Sequence, residues 1–192
     1  MNIILYGIQG SGKSTQGKLL SRHLKLPYLS TGHIFREIAK EQTRQGRYIK
    51  ETLAAGLLLP DEIAIPIVEE YLKRAEYKKG WILDGFPRTI KQAREFKQTV
   101  DVAFYLTVSD KEALWRLSFR VDEKGNIRED ETLLAIRKRI ALFHRETEPV
   151  IDYYRKRDIL VEVNGERKVE EIIEDLLSKV RWWERGNGHG KH

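Results

Sequence analysis

The chain has 192 residues with a formal net charge of +6, 41% hydrophobic and 33% charged, a balance that excludes a disordered polymer and fits one domain with a real core. No apolar run approaches the length of a membrane span, and the lack of cysteine excludes a cysteine-bound zinc site and fits a reducing, cytoplasmic setting. Acidic residues sit between the basic ones, as from Glu166 to Glu171, so the charge reads as an ion-paired surface, with no nucleic-acid or membrane partner expected.

Asn2 to Tyr6 is too apolar for a half-exposed strand, which predicts a central strand of a parallel sheet and leaves no room for a signal peptide. Gly7 to Ser14 then fit G-x-x-x-x-G-K-[ST], the phosphate-cradling P-loop. Its glycines let backbone N–H groups turn onto an anion, Lys13 adds a point charge and Ser14 offers a hydroxyl to Mg²⁺. A helix opening near Lys13 aims its dipole at the same phosphates, so a nucleoside triphosphate is the default ligand.

That helix runs to about Lys25 and Pro27 stops it. Tyr28 to Ser30 is a short strand, Ser30 or Thr31 caps the next helix, and Gly32 permits a close approach. Helical patterns follow over Ile34–Lys40, Ile49–Ala55 and Glu62–Ala75, with Gly56 ending one and Pro60-Asp61 starting the next. The block from about 31 to 60 has helices and no strand, and is expected to project from the sheet as a small subdomain. Trp81 to Asp84 is a buried strand ending in a carboxylate, the Walker B arrangement for Mg²⁺.

Beyond the turn from Gly85 to Thr89, a helix is expected over Ile90–Gln98, a strand over Ala103–Val108, and a helix capped by Asp110. Residues 121–131 are polar and read as an exposed loop. Leu133, Ile136, Ile140 and Phe143 mark a long helix that Pro149 must kink or break. Ile159 to Val163 is the fifth strand, and Val169 to Val180 a strongly amphipathic helix. The end from Gly186 is expected to be disordered, with Trp182 and Trp183 packing the last helix. Five strands alternating with helices give an α/β, doubly wound parallel sheet.

Four stretches together resemble the adenylate kinases, within the nucleoside monophosphate kinases. They are the P-loop through Thr15 and Gln16, Ser30-Thr31-Gly32 with Arg36, Asp84-Gly-Phe-Pro-Arg-Thr89 with Gln92, and the arginines at 116, 120, 128, 137 and 139. They span nearly the whole chain to about residue 180. The resemblance implies that Gly10, Ser11, Gly12, Lys13, Ser14 and Thr15 hold the ATP phosphates, with Asp84 and Ser14 organising Mg²⁺. It also implies that Arg36 and Arg88 grip the AMP phosphate beside Gly85. Thr31, Gln92 and the backbone from Leu57 to Leu59 would read its adenine. Arg116 and backbone near Arg167 would meet the ATP base, while Arg120, Arg128 and Arg139 close over the moving phosphoryl group. The short 120–131 span implies a short lid without zinc, on a chain expected to act as a monomer.

Such chemistry needs positioning and positive charge rather than a side-chain nucleophile, since the acceptor phosphate is already ionised. Arg139 falls about 40° from Phe143 on the helical wheel and Lys138 about 140° away, so Arg139 borders the apolar stripe and can face a cleft. His144, beside Phe143, reads as a core-edge histidine. Gln9, Ser14 and His33 stand where the family usually has proline, glycine and aspartate. His33 bears on the water-mediated ordering of Mg²⁺ and introduces a pH-sensitive group. Two other readings remain: a UMP/CMP kinase, against which Thr31 and Thr89 argue, and a nucleotide-dependent RNA-binding or assembly factor on the same fold.

Overall fold

The computed structural model describes residues 1–118 and 133–187. Five strands, β1 (Asn2–Tyr6), β2 (Tyr28–Ser30), β3 (Trp81–Asp84), β4 (Val102–Thr107) and β5 (Leu160–Asn164), form one sheet in the order β2-β3-β1-β4-β5. Every pairing is parallel, as the uninterrupted apolar runs predict for strands buried on both faces. Growth of the sheet reverses across β1, so a crevice opens beyond the carboxyl ends of β3, β1 and β4, where such sheets bind ligands.

Strand alternation splits the core in two. Ile3 and Leu5 join Ile82 and Phe104 on one face, covered by α1 (Lys13–Leu24) and α9 (Val169–Trp182) through Leu20, Ile172, Leu176 and Val180. Ile4 and Tyr6 join Trp81 and Leu83 on the other. That face is covered by residues of α2 (Thr31–Ile38), α3 (Arg44–Ala54), α4 (Asp61–Leu72), α5 (Ile90–Glu95), α6 (Asp110–Ser118), α7 (Leu133–Leu142) and α8 (Glu148–Arg155). The doubly wound α/β architecture is therefore the observed one.

Several boundaries differ for local reasons. Helix α3 starts at Arg44 because Thr43 Oγ1 accepts from Gly46 N at 2.9 Å, a side-chain cap inside a stretch with little apolar periodicity. It ends as expected at Gly56: Gly56 N reaches Leu53 O and Leu57 N reaches Thr52 O, a Schellman closure that the +71° φ of Gly56 permits. Ser30 occupies the N-cap position of α2 as expected but makes no side-chain capping bond, and the Thr31 hydroxyl donates to Asp84 O at 3.1 Å instead. At α6 it is Ser109 Oγ that accepts from Glu112 N, with Asp110 already in the first turn. Helix α4 stops at Leu72, ahead of a short 3₁₀ turn over Ala75–Tyr77. Its interior Pro66 costs the helix one backbone hydrogen bond while Ala64, Val68 and Leu72 pack the core. Helix α5 is closed at Glu95, short of Gln98.

Pro149 acts as foreseen, in an unforeseen form. The helix α7 passes into a π-helical turn over Phe143–Thr147, and Pro149 then sits in the first turn of α8, where its missing N–H costs least. Trp183 is buried against the α1/α9 core, and Trp182 is exposed.

Candidate active site

The carboxyl end of β1 delivers the loop into a tight turn, with Ser11 N donating to Ile8 O at 3.0 Å. Gly12 caps α1 in the left-handed region, at φ 89°. Because no side chain fills that cap, the first N–H groups of the helix face the crevice as an anion cradle. Lys13 folds back over the loop, its Nζ donating to Gly7 O at 2.6 Å and Ile8 O at 2.9 Å. Parallel pairing sets Leu5 opposite Asp84, which brings the end of β3 beside the loop. Ser14 Oγ then donates to Asp84 Oδ2 at 3.1 Å.

A cleft of about 600 Å³ runs along this edge, within the range of small-molecule sites. It collects Gly10, Ser11, Gly12, Lys13, Ser14, Thr15, Arg36, Leu57, Leu59, Asp84, Gly85, Arg88, Gln92, Arg116, Arg139 and Arg167. Residues from seven separate parts of the chain thus meet where the sequence placed them together. Thr31 lies buried just beneath the wall, through its bond to Asp84 O. Arg120 and Arg128, with the expected 120–131 lid, lie outside the described residues.

The arginines divide into two groups. Around the inner end, Arg88 Nε donates to Gly85 O at 2.7 Å, and Arg139 Nη2 reaches Leu53 O at 2.8 Å. Burial lowers the Arg88 pKa from its usual value, Asp84 pulls it back up, and the positive charges of Arg139 and Arg36 lower it further. Arg88 therefore feels the positive charge of both Arg36 and Arg139, which line the same cleft. Around the outer end, Arg116 is held by Glu112 at 2.7 Å and by Gly165 O at 2.9 Å. Arg167 is held by Asp175 at 2.5 Å. These two are oriented by carboxylates that offset their charge, which suits a wall more than a phosphate grip.

Gln92 is almost fully buried: its Oε1 accepts from Arg88 N at 2.7 Å and its Nε2 donates to Asp61 at 2.8 Å. It thereby fixes the backbone of the arginine turn. His144 is more exposed than a core-edge residue; it bridges Glu148 at 2.7 Å and Asp110 at 2.9 Å. His33 is exposed on α2. Two features escaped the sequence reading, one in the cleft wall and one behind Asp84. Trp115 stands 61% exposed in the wall beside Arg116, and only its position next to that arginine hinted at it. Tyr28, read as a strand residue, reaches Asp84 with its hydroxyl.

The donors around Asp84 and Ser14 are hard oxygens, which suits Mg²⁺. Among the described residues, no group of three His, Cys, Asp or Glu side chains could hold a metal by itself. A magnesium ion here would thus depend on nucleotide phosphates and water for most of its ligands, as that ion commonly does.

Residues 5–159 match the family model described as adenylate kinase. The chain belongs to the adenylate kinase family. It is 34% identical to an adenylate kinase of Caldicellulosiruptor bescii, over 94% of this chain and 99% of that protein. An adenylate kinase of Azobacteroides pseudotrichonymphae is 36% identical over 94% and 97%, and one of Pseudothermotoga lettingae 37% identical over 94% and 99%. Adenylate kinases are phosphotransferases acting on ATP and AMP, and nothing in these likenesses favours a pyrimidine kinase or an RNA-binding factor.

Proposed function

We propose that the two ends of this cleft are the two nucleotide subsites, and that a phosphoryl group passes directly from ATP to AMP between them to give two ADP. The observation carrying the assignment is the convergence of Arg36, Arg88 and Arg139 on one half-buried region, at an electrostatic cost to Arg88 in the free protein. Such a cost is relieved by an anion, and an in-line transfer concentrates negative charge there. Lys13, the loop amides and the α1 dipole take the β- and γ-phosphates of ATP. Arg36, Arg88 and Arg139, with Arg120 and Arg128, take the AMP phosphate and the group in flight. The acceptor oxygen is already anionic at neutral pH, so no general base is required.

Arg116 and the chain around Arg167 form the wall for the ATP base, and Leu57 and Leu59 line the opposite, AMP side. Thr31 and Gln92 hold structural partners in the free protein, so their reading of adenine requires those bonds to be shared or exchanged on binding. Asp84 and Ser14 order Mg²⁺, which when bound neutralises phosphate charge. The 31–60 block serves as the AMP-binding subdomain and 120–131 as a short lid, both folding over the substrates to exclude water. No helix among the described residues is long and apolar enough to cross a membrane, and the enzyme is assigned to the cytoplasm as a monomer.

The test is a steady-state assay of ADP formation from Mg-ATP with a panel of monophosphates. AMP is expected to give the highest kcat/KM; a clear preference for UMP or CMP overturns the assignment of the acceptor subsite.

A further inference from the structure

Tyr28 begins β2, an edge strand, and pairs opposite Ile82, two residues before Asp84. Residues two apart point to the same side of a strand, so Tyr28 and Asp84 both face α1. The tyrosine ring lies across Gly17 of α1, where an added Cβ would come within 2.8 Å of Tyr28 Cδ2 and within 3.0 Å of Leu5 Cδ1. Only a residue without a side chain leaves room for the ring in this plane. The ring's far end then reaches the metal carboxylate, with Tyr28 Oη donating to Asp84 Oδ2 at 2.6 Å. The second donor, Ser14 Oγ, falls on the same oxygen at 3.1 Å. Both described hydrogen bonds to this carboxylate thus converge on Oδ2, and neither uses Oδ1.

We propose that Tyr28 is a positioning residue for magnesium: its phenol clamps one oxygen of Asp84 so that the other is presented, in a fixed orientation, to a water of the Mg-nucleotide. The inference rests on the assignment of Asp84 to the metal. A buried carboxylate with one short charge-assisted bond loses its torsional freedom, and outer-shell partners of this kind typically govern metal affinity by about 10–100-fold. The arrangement also gives a role to serine in the loop position: with its hydroxyl turned to Asp84, Ser14 completes the clamp from the opposite element.

The discriminating experiment is calorimetric binding of a non-hydrolysable ATP analogue, with and without Mg²⁺, to the intact protein and to Tyr28→Phe and Asp84→Asn. Tyr28→Phe keeps the ring on Gly17, and thermal melting checks its fold. The expected result is that Tyr28→Phe binds the metal-free analogue as the parent does but loses about tenfold of the gain that Mg²⁺ confers. Equal weakening with and without Mg²⁺ would make Tyr28 a general packing residue and overturn the proposal. So would a full magnesium gain in Tyr28→Phe while Asp84→Asn abolishes it, a result that leaves the Asp84 assignment standing. Should Asp84→Asn keep the full gain, the assignment of Asp84 fails and the clamp with it.

Discussion

Replacing Arg88 with methionine separates its electrostatic task from its packing. A guanidinium and a phosphate charge about 4 Å apart attract by about 4 kcal/mol at an effective dielectric of about 20. Since each ~1.36 kcal/mol is tenfold in rate, removing that charge from the transition state should lower kcat by about 10³-fold. The free protein should hardly notice. Arg88 is held there against burial and against the charges of Arg139 and Arg36, with Asp84 pulling the other way, so its removal relieves a cost, offset by the lost attraction to Asp84 and the lost bond to Gly85 O, the bond itself worth about 1 kcal/mol. The ligand-free Tm should therefore stay within about 4 °C of the parent, the shift that ~1 kcal/mol produces in a chain of this size. Coupled-enzyme measurement of ADP formation gives the first quantity and a melting curve the second. A rate loss under tenfold, or a Tm falling by about 10 °C together with the rate, would refute the argument, the latter by showing that Arg88 is chiefly a scaffold.

The remaining expectations concern the walls and the helix junctions. His144 has its pKa raised, first by its bond to Glu148 and then by Asp110. Its contribution to stability is therefore complete below the unfolded pKa of about 6.5 and disappears as pH rises through the higher folded value. The group is partly exposed, so the effect is small, under about 1 kcal/mol. Melting His144→Gln beside the parent from pH 5 to 9 should show a gap that closes at alkaline pH; a gap that widens reverses the sign. Gly56→Ala puts a Cβ 2.7 Å from Ala135 O at a φ of +71°, which should cost about 2–4 kcal/mol in strain and overpacking and raise KM for AMP through the displaced Leu57–Leu59 segment. An unchanged melting curve would contradict it. Trp115→Ala should raise the KM for ATP about five- to tenfold with kcat unchanged, since a base stacked on an indole gains about 1–3 kcal/mol; an unaltered KM would take Trp115 out of the base subsite.

The sheet was legible because its strands are unmixed apolar runs and its loop and Asp84 stand at their ends. What escaped the sequence were contacts made by reach instead of by pattern. Thr43 caps α3 without a distinctive periodic run behind it. The π-helical turn before Pro149 has no sequence period of its own. Gln92 was legible as a member of the cleft, yet its two structural bonds, to Arg88 N and Asp61, depend on the approach of two distant elements. Tyr28 was invisible as a site residue because a tyrosine in a strand is ordinary, and only Gly17 across from it reveals why the phenol extends to the carboxylate.

The pairing of Leu5 with Asp84, and of Ser30 with Asp84, makes the distance from loop to carboxylate quantised. A slip of one residue would turn Asp84 to the opposite face, and the next allowed setting lies two residues, about 6.6 Å, along the ladder. Evolution or a designer seeking a change of a few tenths of an ångström cannot obtain it from the backbone. The adjustable elements are the lengths of the arms that hold the carboxylate, a long one from the sheet edge and a short one from the helix.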